Sequence, residues 1–249
     1  MAEGSWTLSA RATLPSSSDG NWASIFQCAG PELTGHDCSV ENVPHTPFPP
    51  AVTNANGRFP DVVSCYRTAK PKAKIGYFFE WGGMRYMVDT NAVDRLQWGS
   101  AVRDVADWAA DYFRAERPEL TILVINSPDD VGHKFGWGTP EYQSRIPVLD
   151  RRLAKLVRAV EESGVLGETV FIVTSDHGGI RKRHGGNTLD EIERPLILAG
   201  KGVKKGFEIT EPNASYDVGA TLAWLLGVEP PSVWRGRPVT SAFQENLER

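Results

Sequence analysis

The sequence predicts a layered α/β fold, because segments typical of strands alternate with segments typical of helices along the chain. Two observations carry this prediction. Short apolar runs recur, as at residues 120–125 and 169–174, and between them apolar residues are spaced as on one face of a helix, as at residues 147–163. The 249 residues show neither an internal repeat nor a low-complexity linker, so we expect one domain over residues 1–249.

The first fifty residues are rich in Ser, Pro and Gly, a composition that predicts loops, with one short helix over residues 21–29. A helix over residues 59–69 is predicted to end before Pro71, which cannot continue it, and a short strand follows over residues 74–79. The later predicted elements are a helix over 101–114, a strand over 120–125, a helix over 147–163, strands over 169–174 and 195–199, and a helix over 216–226.

Composition and charge argue against several classes of function. The net charge is −4 and no long basic run occurs, so a broad nucleic-acid-binding surface is not expected. No apolar stretch approaches the length of a transmembrane helix and the first residues do not resemble a signal peptide, so the chain as written is expected to be cytoplasmic, without a membrane partner. Three cysteines cannot all pair, and a disulfide scaffold is not expected. The oligomeric state stays open.

Three of the five histidines lie in or just after two segments that each follow a predicted strand. The first segment contains Asp129 and His133, whose spacing of four places both side chains on one side of a helical turn. The second contains the adjacent pair Asp176 and His177, with His184 just downstream. Functional loops of α/β folds cluster at the carboxyl ends of strands, and carboxylates with imidazoles bind divalent ions, zinc above all. We therefore expect two metal ions and hydrolytic attack at phosphorus or a similar centre.

Taken alone, the first segment can also be explained without a metal ion: Asp129 would cap a helix and His133 would lie on the surface. The two segments together, in this order and each after an apolar strand, favour metal binding. The short basic run at residues 181–183 also has two interpretations: a solvated loop, or a charged surface that draws in an anionic substrate.

The two segments resemble those of the alkaline phosphatase superfamily, and most of all those of its nucleotide pyrophosphatase/phosphodiesterase branch. The similarity extends from residue 10 to residue 239 and includes the Arg-Pro-hydrophobic strand at residues 194–198. It implies a three-layer α/β/α sandwich of the alkaline phosphatase type. It also implies which residues bind the two zinc ions: Asp129, His133 and His184 the first, and Asp176 and His177 the second.

The resemblance extends to the nucleophile. In the family this residue is a Thr or Ser near the N-terminus, three residues before an Asn and ahead of a Pro-Glu segment. By this register the nucleophile is Ser18, with Ser16 and Ser17 as fallback candidates. A zinc ion beside the hydroxyl would favour its alkoxide, and a helix starting near Asn21 would add the positive end of its dipole. The substrate-binding Asn that the family places further along is Ser39 here.

The chain departs from the family at its first strand, which ends in an Asp-Gly pair whose Asp ligates the second zinc. This sequence starts too late to contain that strand, so we expect the sheet to lack it. The second zinc site should then be incomplete, with Asp176, His177 and the Ser18 hydroxyl but without the first carboxylate. Asp19 is the acidic residue beside Ser18 that could compensate.

The resemblance implies a metal-dependent hydrolase of phosphoric esters, with a small-molecule phosphoester substrate. A diesterase or pyrophosphatase is favoured over a monoesterase, and Ser18 attacks phosphorus in line. The absent strand leaves a second interpretation open, a non-catalytic remnant of the same fold. Such a remnant would retain one metal site and act as a binding or structural protein.

Overall fold

The computed structural model describes residues 2–40, 43–45, 47–99 and 104–245, except the side chains of residues 38–40 and 43–45. Within these residues the strands and α-helices follow in this order: β1 (Gly4–Arg11), α1 (Ser18–Gln27), α2 (Pro31–Thr34), β2 (Cys38–Val40), β3 (Val43–His45), α3 (Val62–Ala69), β4 (Ile75–Phe79), β5 (Arg95–Trp98), α4 (Val105–Glu116), β6 (Leu120–Val124), α5 (Asp129–Phe135), α6 (Pro140–Gln143), α7 (Ile146–Glu162), β7 (Val170–Thr174), α8 (Leu189–Ile192), β8 (Glu193–Gly200), β9 (Phe207–Glu208) and α9 (Ser215–Leu225).

The strands form two main sheets and a separate β2–β3 hairpin. In the first sheet, ordered β7-β8-β1-β9, β8 runs antiparallel to both β7 and β1, with Gly4 opposite Ala199. The second sheet, ordered β5-β4-β6, is parallel throughout, and Tyr77 of β4 lies between Leu96 and Ile122. Both sheets therefore contain one of the strands that lead to the histidine segments.

β4 shows how helices come to cover both faces of the parallel sheet. All five of its residues are buried, and their alternation sends Phe78 into one apolar core and Tyr77 and Phe79 into the other. The core around Tyr77 contains apolar residues of α1, α3 and α9, and the core around Phe78 contains those of α4 and α7. The result is a helix–sheet–helix sandwich, which confirms the predicted three-layer fold.

β6 and β7 are edge strands of the two main sheets. Among the described residues, β6 pairs only with β4, and β7 pairs only with β8. Ile122 and Ile172 pack against the same core, while Leu123 and Phe171 pack against the other. The two strands thus lie in one layer, and the expectation that this layer lacks a strand stays a prediction.

The helices match the sequence expectation closely. Predicted and observed ends differ by at most four residues. The predicted start of α3 lies three residues before the observed start at Val62, where the Asp61 side chain caps the helix. Residues 101–103, the first three of the helix predicted over 101–114, lie outside the described residues. The helix α4 starts at Val105, because the Asp104 side chain accepts a hydrogen bond from the backbone amide of Ala106. Within the described residues no helix is long and apolar enough to span a bilayer.

The expectation of a loop-rich N-terminal region was wrong at β1, which lies inside the first sheet. Its inward positions include Ser5 and Ala10, both fully buried, whereas Leu8 is 57% exposed. Apolar periodicity is therefore weak in this segment. Ser5 is accommodated because its hydroxyl donates to the carbonyl of Lys204 or Ala242, each 2.9 Å away, an arrangement that only the tertiary structure provides.

Candidate metal and nucleophile site

The first histidine segment follows β6 and forms α5, with Asp129 as its first residue. Its backbone amide donates to the carbonyl of Asn126 at 3.2 Å, which closes the turn between strand and helix. Asp129 and His133 then lie one helical turn apart, and Asp129 Oδ2 is 3.5 Å from His133 Nε2. The predicted same-side arrangement is present in the structure.

The second segment follows β7 and is held by α8 and the residues around it. The amides of Gly178 and Gly179 donate to the carbonyls of Glu191 and Asp190, at 2.9 and 2.7 Å. This loop places His177 Nε2 3.1 Å from Asp176 Oδ2. Both side chains therefore face the same space at the carboxyl end of β7.

His184 connects the two segments. Its Nε2 lies 3.8 Å from Asp129 Oδ1, and one ligand atom from each of Asp129, His133 and His184 lies within 4.8 Å of the others. A zinc ion about 2.0–2.2 Å from each ligand needs tetrahedral ligand atoms roughly 3.3–3.6 Å apart. These three residues, called the metal triad below, have near-matching separations. Within the described chain they are the one group of three His, Cys, Asp or Glu side chains that meets this criterion.

The imidazoles of the metal triad are oriented by backbone carbonyls. His133 Nδ1 donates to the carbonyl of Lys182 at 3.1 Å, and His184 Nδ1 donates to that of Ser16 at 2.9 Å. A proton fixed on Nδ1 leaves Nε2 with its lone pair, which is the form a metal ion needs. Asp129 Oδ1 is buried and has no hydrogen-bond partner among the described residues, as expected for an oxygen whose partner is a cation.

His177 and His184 stack face to face, with ring centroids 3.8 Å apart. Burial lowers the pKa of His177, but the carboxylate of Asp176 outweighs burial and raises the pKa to about 9. Burial and the neighbouring His177 charge lower the pKa of His184 to about 4. Burial also raises the pKa of Asp129. Without an ion, then, the positive charge of this cluster resides on His177.

Of the three candidate nucleophiles, Ser18 is the one whose hydroxyl lies within hydrogen-bond distance of these side chains. Its Oγ lies 2.9 Å from His177 Nε2, and it is the first residue of α1, at the positive end of the helix dipole. Ser16 Oγ donates to the carbonyl of Gly186 at 2.7 Å, and Ser17 Oγ donates to that of Asp37. The last two hydroxyls are occupied by structural hydrogen bonds.

The structure does not bring Asp19 into the second site. Its buried carboxylate points to His36, with Oδ2 3.0 Å from His36 Nδ1. The second site therefore offers Asp176, His177 and the Ser18 hydroxyl. Ser39 belongs to β2, but its side chain lies outside the described residues, so its assignment as a substrate ligand stays a prediction.

Two residues beside the site were missed by the sequence analysis. Arg194 is buried at the start of β8, and its Nη1 donates to Thr174 Oγ1 at 2.5 Å; burial lowers its pKa to about 10. A charged residue opening an apolar strand was the available signal. Trp137 packs against both His133 and His184, and nothing in its sequence context distinguished it from a loop aromatic.

Comparison with known proteins supports this reading of the chain. Residues 83–199 match the model of the type I phosphodiesterase / nucleotide pyrophosphatase family. Zebrafish arylsulfatase K is 31% identical over 97 residues, covering 35% of this chain and 18% of the relative. Human ectonucleotide pyrophosphatase/phosphodiesterase family member 7 is 27% identical over 88 residues, with the same two coverages. The matched part thus spans about a fifth of each curated relative.

Solved structures resemble nearly the whole chain. An inactive variant of murine ectonucleotide pyrophosphatase/phosphodiesterase 5, in complex with AMP, superposes with a TM-score of 0.78 at 14% identity, covering 98% of this chain and 92% of that one. A 2-O GAG sulfatase superposes with a TM-score of 0.70 at 13% identity, covering 99% and 69%. At these identities the likeness shows the fold.

The region that matches the family model contains both histidine segments, and the fold likeness extends from there to almost the entire chain. The resemblance seen in the sequence is confirmed: residues 83–199 are similar to the type I phosphodiesterase/nucleotide pyrophosphatase family, and almost the whole chain has the fold of a solved ectonucleotide pyrophosphatase/phosphodiesterase.

Proposed function

We propose that this protein is a metal-dependent hydrolase of small-molecule phosphoric esters, with phosphodiesters or pyrophosphates as substrates and Ser18 as nucleophile. The observation that carries the proposal is the position of the Ser18 hydroxyl, 2.9 Å from His177 Nε2 and at the N-terminus of α1. The family match and the AMP complex of the murine neighbour support a nucleotide-like substrate.

The metal triad would hold one ion. Two imidazoles and one carboxylate are a donor set that zinc accepts, and the orphaned Asp129 oxygen fits a cation. When bound, the ion would supply Lewis-acid stabilisation of negative charge on the phosphoryl oxygens. Asp176 and His177, with the Ser18 hydroxyl, would form the second, weaker site.

Other residues of the chain would supply the nucleophile, stabilise the developing charge and attract the substrate. The Ser18 hydroxyl gives its proton to solvent, and its oxygen forms a bond to phosphorus as the bond to the leaving oxygen breaks. The leaving oxygen takes up a proton from solvent, and water then hydrolyses the phosphoserine, which releases the phosphoryl product and restores the Ser18 hydroxyl. The amides at the N-terminus of α1, where Ser18 lies, would stabilise the charge that develops on the phosphoryl group. The exposed residues 181–183, all basic, lie next to the metal triad, since the Lys182 carbonyl contacts His133. They would raise the local concentration of an anionic substrate.

A substrate panel tests the proposal. The purified chain is incubated with nitrophenyl phosphate, bis-nitrophenyl phosphate and a dinucleoside pyrophosphate, with and without added zinc. We expect zinc-dependent hydrolysis, faster on the diester and the pyrophosphate than on the monoester. A chain that binds one zinc ion and hydrolyses none of the three would instead support the non-catalytic alternative.

A further inference from the structure

The indole of Trp137 contacts two of the three side chains of the metal triad. Its ring centroid lies 5.2 Å from that of His133, with the planes at 84°, and 6.0 Å from that of His184, at 72°. Both are edge-to-face arrangements, which aromatic rings favour. Trp137 is half-buried.

Two glycines provide the space that this indole occupies. A Cβ atom at Gly132 would lie 2.7 Å from the Trp137 ring, and one at Gly179 would lie 2.2 Å from it. Neither glycine has a positive φ, so neither is required for its backbone conformation. Glycine is needed at these positions because the indole leaves no room for a Cβ atom. One of them precedes His133 and the other follows the Asp176–His177 pair.

The backbone of Trp137 is fixed to the loop that precedes His184. Its amide donates to the carbonyl of Arg181 at 2.7 Å, and the next carbonyl, that of Lys182, accepts from His133 Nδ1. The amide of Ile180 in turn pairs with the carbonyl of Arg183 at 2.9 Å, which closes the turn. Trp137 therefore connects the segment after β6 with the segment after β7.

We propose that Trp137 is a positioning residue for the metal triad. Its indole, seated against Gly132 and Gly179, restricts rotation of the His133 and His184 rings and keeps their Nε2 atoms directed at one point. Side chains that orient metal ligands from outside the coordination shell commonly change metal affinity 10- to 100-fold, about the range expected here. The inference rests on the proposed metal site.

The first test measures zinc affinity by competition with a chelator. We expect Trp137→Ala to bind the first zinc ion roughly 10- to 100-fold more weakly than the native chain, and Trp137→Phe to recover part of the loss. Trp108→Ala serves as the control, since Trp108 is also half-buried but packs against the core around Phe78. Equal affinities for the native chain and both Trp137 variants, all folded by circular dichroism, overturn the positioning role.

The second test needs no metal. Gly179→Ala should lower the melting temperature of the native chain markedly, because the new methyl group collides with the indole. In the Trp137→Ala background the same substitution should cost far less, because the space is then free. Additive losses in the double variant would contradict the packing argument. A native chain that binds no zinc while the two substitutions remain coupled would refute the proposed metal site and retain the packing.

Discussion

Ser18 Oγ and His177 Nε2, 159 positions apart in the sequence, lie 2.9 Å apart in the structure. This contact joins the N-terminus of α1 to the loop after β7. It brings a hydroxyl, an imidazole and the Asp176 carboxylate into one group, since His177 Nε2 is also 3.1 Å from Asp176 Oδ2. The chemistry proposed for this protein depends on that group, and it can be tested residue by residue.

Ser18→Ala should abolish turnover, by roughly a thousandfold or more, because no neighbouring hydroxyl can replace the nucleophile. Zinc content and melting temperature should change little. Ser16→Ala is the matched control: it removes two hydrogen bonds, to Gly186 and from Gly185, and should cost about 1 kcal/mol of stability while turnover persists. The rate of diester hydrolysis by the two variants shows whether Ser18 or Ser16 is the nucleophile. Turnover lost in Ser16→Ala and retained in Ser18→Ala would assign the nucleophile to Ser16.

Zinc binding at Asp176 and His177 should release a proton near pH 7.5. The pKa of His177 in the ion-free protein is raised to about 9, so the imidazole is protonated there and must lose a proton to bind a metal ion. His184, with a pKa lowered to about 4, is already neutral and contributes no proton to the first site. Zinc is titrated into the protein in weakly buffered solution with a pH indicator. Proton release should increase when the second equivalent of zinc is added. The release should fall to about half near pH 9 and become negligible near pH 11, and a release that stays constant over this range would contradict the assignment.

Asp104 should stabilise the protein in a pH-dependent way. Partial burial raises its pKa, but hydrogen bonds from Arg152, the Ala106 amide and Lys155 outweigh burial and lower the pKa to about 2. A carboxylate with a lowered folded-state pKa contributes stability above its unfolded pKa, and that stability is lost as pH falls toward the folded value. Asp104→Asn should therefore cost about 1 kcal/mol at pH 6, a value reduced by solvent screening, and progressively less below pH 4.

Urea denaturation at several pH values measures this dependence. Asp150→Asn, on the exposed surface of α7, is the control and should show no comparable loss at pH 6. Because Asn also accepts the helix-cap hydrogen bond, a loss for Asp104→Asn that stays constant from pH 6 to pH 3 would mean that the charge of Asp104 does not supply the stability.

A strand supplied between β6 and β7 should raise stability and activity together. Both strands run with their carboxyl ends toward the site, and each has one edge without a strand partner in the described part of the chain. An inserted strand whose last residues reach the site would therefore run parallel to β6. A fused segment ending in Asp-Gly, followed by a helical crossover of about a dozen residues or more, has the required geometry. We expect a higher melting temperature, a second zinc ion and faster diester hydrolysis. Two zinc ions and an equal rate in the unextended chain would show the added strand to be unnecessary.

The metal triad is the part of the site that sequence reasoning reached most directly. Asp129 and His133 have helical spacing after an apolar strand, and that local pattern fixes their relative position. The placement of His184 and Ser18 required the family resemblance, because both depend on contacts between distant segments. Asp19 was named only as a residue that could compensate for the absent carboxylate, and its pairing with His36 could be identified only from the fold.

The strands and helices of the central part of the chain were predictable for a similar reason. Their apolar periodicity is strong where burial is extensive, as in β4 and α7. β1 was missed because small and polar residues fill its buried positions, and hydrogen bonds to residues more than 190 positions away satisfy them. Trp137 escaped notice because its partners are two glycines, whose lack of a side chain is informative only once the indole is seen.

The division of the central layer has a mechanical consequence. Asp129 and His133 are attached to the sheet that contains β6, and His184 follows the strand β7 of the other sheet. No backbone ladder connects these halves through β6 and β7 within the described residues, so an ion in the metal triad would act as a cross-link between them. The two sheets already share both apolar cores, so the ion would add a second connection to the one that packing provides. Opening of the contact between β6 and β7 should then be rarer in the zinc-bound protein, because that opening would have to break ligand bonds as well as apolar contacts.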